Sequence, residues 1–221
     1  MNRFYLNRIE KIITILSKEY RKWRVPAVTL TSQKSRDPFK VLISTILSLR
    51  TKDETTYAAS TRLFKLADNP KNMLKLSMVD LEKVIYPVGF YRTKAKTILN
   101  ICNVLKEKYK SKVPKEIDEL LKLKGVGRKT ANLVVTLAFG KPGICVDTHV
   151  HRISNRWGFV KTKSPLQTER DLRKNLPEKY WVRYNSILVA FGQQVCRPIS
   201  PRCTVCPVEK YCDKVGVLKN R

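Results

Sequence analysis

A lysine stands at the start of a predicted helix, where its charge is unfavourable. The stretch LKGVGRKTANLVV, residues 123–135, places two glycines before Arg128 and Lys129, and an apolar run follows. The positive end of the helix dipole destabilises an ammonium group at this position. Either an anion balances the charge, or Lys129 loses its proton. Both explanations are open at this point.

Four cysteines near the end of the sequence form a second chemically distinctive group. They are separated by six, two and five residues: Cys196, Cys203, Cys206 and Cys212. Thiolates so close in sequence are a much stronger metal signal than a single C-x-x-C motif. The uneven spacing leaves both zinc and a four-iron cluster open. Cys102 and Cys145 lie in apolar stretches, which is typical of ordinary core thiols.

Two arginines flank the loop between the first two of these cysteines. The loop, RPISPR at residues 197–202, begins with Arg197 and ends with Arg202, and its two prolines stiffen it. A metal-held loop that presents two arginines would suit contact with phosphate. The alternative is that both arginines are merely solvated.

A single aspartate occurs in the stretch CVDTHVHRISNR, residues 145–156. Asp147 precedes THV in a region poor in acidic residues. An aspartate at such a place is most often a helix N-cap, and the local sequence fits that role.

The charge balance of the chain indicates a partner with many negative charges. Its 221 residues include 45 Lys and Arg against 18 Asp and Glu, which gives a formal net charge of +27. A general bias toward lysine normally raises glutamate as well, and acidic residues are scarce here. We therefore favour nucleic acid over a merely solvated surface. Membrane binding is disfavoured, because no amphipathic stretch has an uninterrupted apolar face.

The sequence favours a cytoplasmic, nucleoid-associated protein. Arg8, Glu10 and Lys11 interrupt any apolar stretch near the start, so we expect no export signal. No apolar run approaches the length of a membrane span. Disulfides are rare in the cytoplasm, which supports a metal as the role of the clustered cysteines.

The two glycines before Lys129 predict a hairpin between helices. An apolar helix face ends before Gly125 and resumes at Ala131. Gly125 and Gly127 permit backbone angles that other residues resist, and they let a phosphate approach the backbone amides. A plain antiparallel helix pair would also explain them. The basic composition favours a site for DNA phosphate beside Arg128.

Apolar periodicity predicts an all-α fold. Apolar residues recur at i, i+3, i+4 and i+7 in four segments, and alternating strand patterns are scarce. These segments begin at Ile9, Phe39, Ile98 and Ala131. Residues 21–38 contain two prolines and no helical period, so we interpret them as a connection. The stretch FGKPG, residues 139–143, is a second break, and both breaks are candidate domain crossings.

Together these motifs resemble the endonuclease III family of DNA glycosylases, in the helix-hairpin-helix superfamily. LKGVGRKTAN, VDTHVHRISNR and the C-x6-C-x2-C-x5-C series occur in the expected order, and the resemblance runs from DPFKVLISTILS at residues 37–48 to Cys212. It implies two helical domains flanking a DNA-binding cleft. One is a six-helix barrel with the hairpin, residues 32–141, and the other is a discontinuous iron-sulfur domain, residues 1–31 and 142–221. The implied cofactor is a [4Fe-4S] cluster on the four cysteines.

The resemblance implies a bifunctional DNA glycosylase and abasic-site lyase, which excises oxidised or ring-damaged pyrimidines in base excision repair. Lys129 matches the family's catalytic lysine and Asp147 its catalytic aspartate. A partly desolvated cleft would favour the neutral amine of Lys129, which attacks C1′ of a flipped nucleotide. The Schiff base that results then undergoes β-elimination, which breaks the strand 3′ to the lesion.

The resemblance also implies residues that contact the duplex. VGFYRTKA, residues 88–95, resembles the family's wedge loop, in which Phe90 would part the bases, and a core aromatic is the alternative. Arg50 replaces the glutamine that many members use to fill the space left by the flipped base. Arginine is longer and always charged, so this departure bears on the opposite-base preference. The other expected DNA contacts are Gly125, Gly127, Arg128, Arg197 and Arg202.

Two alternative functions remain open at the level of the sequence. Arg50 is compatible with a mismatch-type glycosylase that acts on thymine or uracil opposite guanine. A non-catalytic DNA-binding module is disfavoured, because it would need neither Lys129 nor Asp147. We expect double-stranded DNA with damaged bases as the partner, and a monomer, since no heptads suggest self-association.

Overall fold

The computed structural model describes residues 3–23 and 25–221, and these residues are all-helical, which confirms the predicted fold class. Met1, Asn2 and Arg24 belong to the predicted discontinuous domain but lie outside the described residues. The described chain forms two compact units. The terminal unit comprises the described residues of Met1–Pro26 together with Pro142–Arg221, and the central unit is Ala27–Lys141. Their roles as an iron-sulfur domain and a six-helix barrel, with the predicted boundary at residue 32, stay predictions.

The described helices follow one another with short connections. In chain order they are α1 (Arg3–Glu19), α2 (Ala27–Ser35), α3 (Pro38–Ser48), α4 (Asp53–Leu66), α5 (Pro70–Met73), α6 (Met78–Ile85), α7 (Tyr91–Lys108), α8 (Ile117–Leu121), α9 (Arg128–Phe139), α10 (Thr148–Arg156), α11 (Pro165–Asn175) and α12 (Trp181–Gln194). Single 3-10 turns occur at Tyr20–Lys22, Glu178–Tyr180 and Glu209–Tyr211. Across residues 3–23 and 25–221, no helix has the length and apolar character needed to cross a membrane.

Helix α3 organises the core of the central unit. Its predicted apolar stripe from Phe39 to Ile46 is buried, and it packs against α2, α4, α7 and α9. Asp37 caps the helix, since its carboxylate accepts a hydrogen bond from the backbone N of Phe39 at 2.8 Å. Full burial of a large apolar side chain contributes about 1.5–3 kcal/mol. The periodic stripe therefore accounts for the position of α3.

The prediction that residues 21–38 form only a connection is wrong, because α2 lies within them. Its sequence, AVTLTSQKS, has no apolar stripe and is rich in Ser and Thr, which are weak helix formers. The helix instead buries small side chains such as Ala27 and Ser32, and it packs closely against α3. Tertiary packing therefore stabilises a helix that local propensity does not indicate.

An aromatic stack lies in the core of the terminal unit. The ring of Trp23 stacks on Phe191 with centroids 5.6 Å apart, and Trp157 packs against the same ring at 6.2 Å. The predicted apolar positions of α1, from Ile9 to Leu16, belong to this core. Aromatic pairs at these distances stabilise a core beyond their buried area. The core thus joins α1 to the C-terminal helices of its own unit.

Arg8 of α1 fixes the segment that follows Cys212. Its Nη1 donates to Asp213 Oδ1 at 2.8 Å and its Nη2 to Asp213 Oδ2 at 3.1 Å. The same Nη2 also donates to the backbone carbonyl of Trp157. Gly158 has φ 66°, and a Cβ there would lie 1.9 Å from Asp213 Oδ2, so glycine allows this close approach.

Candidate functional site

The predicted glycine hairpin joins α8 to α9. The backbone N of Val126 donates to the carbonyl of Leu123 at 2.9 Å, and both side chains are buried. Gly125 has φ 92°, and a Cβ there would lie 2.5 Å from Thr97 Cγ2. Only glycine takes this conformation without strain. Packing and backbone geometry therefore explain the first glycine.

The second glycine has no such structural explanation. Gly127 is the N-cap of α9 with an ordinary φ of −93°, and a Cβ there would meet nothing within 4 Å. It has no side chain that could cap the amides of the first turn. The exposed start of a helix with an open backbone suits an anion such as phosphate. Glycine is also a common N-cap residue, so a plain helix pair would account for this position as well.

Arg128 and Lys129 are both exposed in the first turn of α9. The next residue, Thr130, is buried, and Asn132 anchors the turn by donating from Nδ2 to the carbonyl of Arg128 at 3.1 Å. The sequence argument expects partial desolvation of Lys129, whereas the structure exposes its side chain. Desolvation of this amine therefore requires a partner such as bound DNA.

Asp147 is the N-cap of α10 in the terminal unit. Its Oδ1 accepts hydrogen bonds from the backbone N of His149 and of Val150, both at 2.9 Å, and the residue is buried. The capping interpretation is thus confirmed. Both cap bonds go to one oxygen, so Oδ2 takes no part in the cap. The catalytic role of Asp147 stays a prediction.

The four clustered cysteines line a single cavity in the terminal unit, together with Arg202 and Trp157. None of them forms a disulfide. The pKa of Cys206 is raised to about 12, mainly by burial and also by the thiols of the other three cysteines. Because all four side chains line the same cavity, they lie close to one another. In the described ranges, no three metal-binding side chains stand in a ready ligand geometry, but the four-thiol donor set fits a soft metal or an iron-sulfur cluster.

The sequence analysis missed two arginines, which hold the start of the loop of residues 197–202. This loop, between Cys196 and Cys203, is called the cysteine loop below. Arg156 is buried and donates to the carbonyls of Arg197 at 2.6 Å and Pro198 at 2.7 Å. Its Nη1 also lies 3.4 Å from Cys196 Sγ. Arg152 donates from Nη2 to the carbonyl of Cys196 at 2.8 Å. The only sequence signal is their spacing of four residues, which puts both on one face of α10.

The loop that carries Arg197 and Arg202 is closed on one carbonyl. The backbone N of Arg197 donates to Val195 O at 2.9 Å, and the backbone N of Arg202 donates to the same oxygen at 3.0 Å. Arg202 is exposed, Arg197 is half-buried, and Ile199 between them is 86% exposed. The loop therefore presents its tip to solvent, and the phosphate role of both arginines stays a prediction.

Two predicted DNA contacts of the central unit lie side by side. The guanidinium carbon of Arg50 is 5.5 Å from the ring centroid of Phe90, which is a cation–π contact. Phe90 is 62% exposed, so the alternative of a core aromatic is wrong. Both residues have positive φ angles, 52° for Arg50 and 58° for Phe90. Non-glycine residues keep such conformations only where their surroundings hold them.

Lys94 supplies part of this support, and the sequence analysis did not single it out. The residue is only 6% exposed, and its Nζ donates to the carbonyls of Leu47, at 2.8 Å, and Leu49, and to Thr51 Oγ1 at 3.0 Å. Burial lowers the pKa of Lys94 to about 8. Because the chain contains so many lysines, the sequence does not indicate that Lys94 is buried while most others are exposed.

Comparisons with known proteins agree with these motifs. The family described as HhH-GPD superfamily base excision DNA repair protein matches residues 43–178. Endonuclease III of Thermotoga maritima is 49% identical over 182 residues, which cover 82% of this chain and 85% of that protein. Endonuclease III of Bacillus subtilis is 38% identical over 190 residues, which cover 83% of this chain and 87% of that protein.

Solved structures give the same result for the fold. A non-covalent endonuclease III–DNA complex matches with a TM-score of 0.84 at 36% identity, covering 94% of this chain and 95% of that one. A trapped endonuclease III–DNA covalent intermediate matches with a TM-score of 0.83 at the same identity and coverage. The chain therefore belongs to the endonuclease III family of HhH-GPD base excision DNA repair proteins, and it is a bifunctional DNA glycosylase and abasic-site lyase.

Proposed function

We propose that Lys129 is the nucleophile of this enzyme, and that its substrates are oxidised or ring-damaged pyrimidines in double-stranded DNA. The observation that carries the proposal is the place of Lys129, exposed in the first turn of α9 directly after a hairpin whose N-cap is Gly127. A similar structure holds a trapped covalent intermediate between endonuclease III and DNA. A covalent intermediate requires a nucleophilic side chain, and an amine is suited to attack on a sugar carbon.

DNA binding itself would prepare Lys129 for reaction. A backbone phosphate at the first-turn amides of α9 and at Arg128 would neutralise the positive end of the helix. The bound duplex would exclude water from the exposed amine, which favours its neutral form. The amine then attacks C1′ of the flipped nucleotide while the N-glycosidic bond breaks, and the base leaves with that electron pair. Ring opening gives the Schiff base, from which loss of a proton at C2′ expels the 3′ phosphate.

We also propose that the carboxylate of Asp147 acts in the same reaction. Because Oδ1 is engaged by the two cap bonds, the carboxylate is held in one orientation and remains largely desolvated. A fixed, buried negative charge stabilises positive charge that develops on the sugar as the base departs. It can also relay the proton that Lys129 releases. Capping thus orients the group that performs the chemistry.

The remaining DNA contacts divide by their chemistry. We propose that Phe90 enters the base stack and that Arg50 beside it fills the space left by the flipped base. Arg197 and Arg202, on the cysteine loop, would contact phosphate as part of the strongly positive surface. The enzyme is proposed to work as a monomer. A mismatch-type preference for thymine opposite guanine remains the second candidate, because Arg50 replaces the usual glutamine.

We also propose that Cys196, Cys203, Cys206 and Cys212 hold a [4Fe-4S] cluster. When bound, the cluster supplies cross-links that hold the loop of residues 197–202 in place. Arg156 supports the same loop through its carbonyl contacts, and its guanidinium lies beside Cys196 Sγ. Hydrogen bonds to ligand sulfur are one of the means by which proteins tune such clusters.

Replacement of Lys129 should abolish the covalent intermediate. With duplex DNA that contains one thymine glycol, borohydride should trap the wild-type enzyme, and Lys129→Ala should reduce the trapped fraction by roughly 10³-fold or more. Lys106→Ala removes another exposed lysine of the central unit, on α7, and should be trapped like the wild type. A normal adduct with Lys129→Ala would disprove the assignment. Faster processing of thymine opposite guanine than of thymine glycol would favour the mismatch alternative.

Replacement of Asp147 should separate its two roles. An asparagine oxygen can accept the same cap bonds, so Asp147→Asn should melt close to the wild type but lose roughly 10²–10⁴-fold in base excision. Asp147→Ser should also keep the cap and lose activity. Asp147→Ala should in addition lower the free energy of unfolding by about 1 kcal/mol. Thermal melts and single-turnover excision rates measure both effects, and full activity of a stable Asp147→Asn enzyme would reject the catalytic role.

Gly127→Ala should weaken DNA binding without harming the fold. The added methyl group has space and an allowed φ, yet it would lie over the amides that we assign to phosphate. We expect the dissociation constant for duplex DNA to rise about 10-fold, or about 1.4 kcal/mol, by fluorescence anisotropy at one fixed salt concentration. Gly140→Ala, at the other end of α9, should lose stability because of its positive φ but bind DNA normally. Unchanged DNA binding by Gly127→Ala would show that no phosphate binds at this site.

Metal analysis should find iron rather than zinc. Protein purified without oxygen should be yellow-brown and contain about four iron and four sulfide ions per chain. Cys203→Ser should lose most of this iron, whereas Cys102→Ala, a buried thiol of the central unit, should retain it. A colourless protein that contains zinc would reject the cluster.

A further inference from the structure

We infer that Lys94 is a positioning residue, which holds Arg50 and Phe90 side by side in the geometry that enters the duplex. The inference rests on the proposed function, because it assumes that Arg50 and Phe90 contact DNA. Lys94 lies in the first turn of α7, four residues after Phe90, while Arg50 follows α3. The residue therefore connects two segments that are distant in sequence.

The hydrogen-bonding capacity of Lys94 is fully used by the segment around Arg50. An ammonium group has three donors and no acceptor. The three donors reach the carbonyls of Leu47 and Leu49 and the hydroxyl of Thr51, so they surround the turn in which Arg50 sits. The arrangement needs the charged form of the side chain. With its pKa lowered only to about 8, Lys94 keeps this form at neutral pH.

The hydroxyl of Thr51 completes the connection. It accepts from Lys94 Nζ at 3.0 Å and from the backbone N of Gly89 at 3.2 Å, and it donates to the carbonyl of Leu49 at 3.2 Å. A hydroxyl offers one donor and two acceptor positions, and all three are engaged. Gly89 precedes Phe90 directly, so the same hydroxyl binds both segments.

The two segments also meet through their backbones. A Cβ on Gly89 would lie 2.6 Å from the carbonyl oxygen of Arg50, so only glycine permits this approach. Above these contacts, at the surface, the guanidinium of Arg50 packs against the ring of Phe90. Both residues have left-handed backbone conformations, which require support from their surroundings. Lys94, Thr51 and Gly89 provide that support from below the surface.

Stability alone does not account for a buried lysine at this position. Removing an ammonium from water is unfavourable, and the hydrogen bonds of Lys94 go to uncharged oxygens rather than to a carboxylate. Arg62 lies on α4 and donates to the carbonyls of Val84 and Tyr86, so it supports the segment that leads to Phe90. Those contacts do not reach Arg50. Lys94 is thus the side chain that sets the Phe90 segment relative to the Arg50 turn.

The test uses Lys94→Met, which keeps an unbranched side chain of similar length but has no donor. We expect a 10- to 100-fold fall in the single-turnover rate of base excision, and a matching loss of the fluorescence change of 2-aminopurine placed beside the lesion. Binding to undamaged duplex should change less than twofold, because phosphate contacts are untouched. A general loss of fold would instead lower binding and excision together.

A double-mutant cycle with Phe90→Ala identifies the route by which Lys94 acts. If Lys94 works through Phe90, Lys94→Met should have little further effect on the Phe90→Ala enzyme. Additive losses, or normal flipping and excision by Lys94→Met, would overturn the inference while leaving the proposed function intact. A fully active Phe90→Ala enzyme would overturn both the wedge role of Phe90 and the inference.

Thr51→Val provides a second variant in case Lys94→Met does not fold. It removes only the hydroxyl and leaves two carbonyl partners for Lys94. The same loss of flipping is expected at smaller size, about 3- to 10-fold in excision rate, with normal binding to undamaged DNA. Wild-type flipping and excision by a folded Thr51→Val enzyme would count against the inference.

Discussion

Hydrogen bonds from buried cations to backbone carbonyls hold the loops on which the predicted DNA contacts depend. In the central unit, Lys94 holds the turn of Arg50 against the segment of Phe90. In the terminal unit, Arg156 holds the start of the cysteine loop through the carbonyls of residues 197 and 198. In a strongly positive chain, the loops that carry basic side chains repel one another. Because the partners are neutral carbonyls, each loop is held without an ion pair to one of the scarce acidic side chains.

Each candidate catalytic residue stands at the start of a helix, but the two helices are capped differently. Asp147 uses its negative charge to satisfy the first amides of α10, so its carboxylate is oriented by the fold itself. At α9 the cap is Gly127, and the first amides lack such a side chain. The helix dipole alone disfavours a lysine beside these amides, and a bound anion would offset that effect. The catalytic role proposed for Lys129 would thus be favoured by the phosphate backbone of bound DNA.

Much of the fold was predictable because apolar periodicity reports buried helix faces. The stripes of α1, α3, α7 and α9 were all visible in the sequence, and the spacing of the four cysteines predicted a common site. Helix α2 was not visible, because close packing of small side chains stabilises it rather than a stripe. The burial of Lys94 and Arg156 was equally hidden, since only the folded chain brings the carbonyls of another segment to a cation. The hairpin was predictable, but the exposure of Lys129 was not.

The stack of Arg50 on Phe90 bears on how this chain departs from the usual glutamine. An exposed cation–π contact stabilises by only about 0.5–1 kcal/mol, whereas stacking of a base on an aromatic ring contributes about 1–3 kcal/mol. If Phe90 enters the duplex as proposed, base stacking would replace the weaker cation–π contact with a net gain. In the free protein that contact restricts the rotamers of Arg50, which would lower the entropy lost if Arg50 fills the space left by a flipped base. The contact would thus hold Arg50 in advance for the DNA contact that we propose for it.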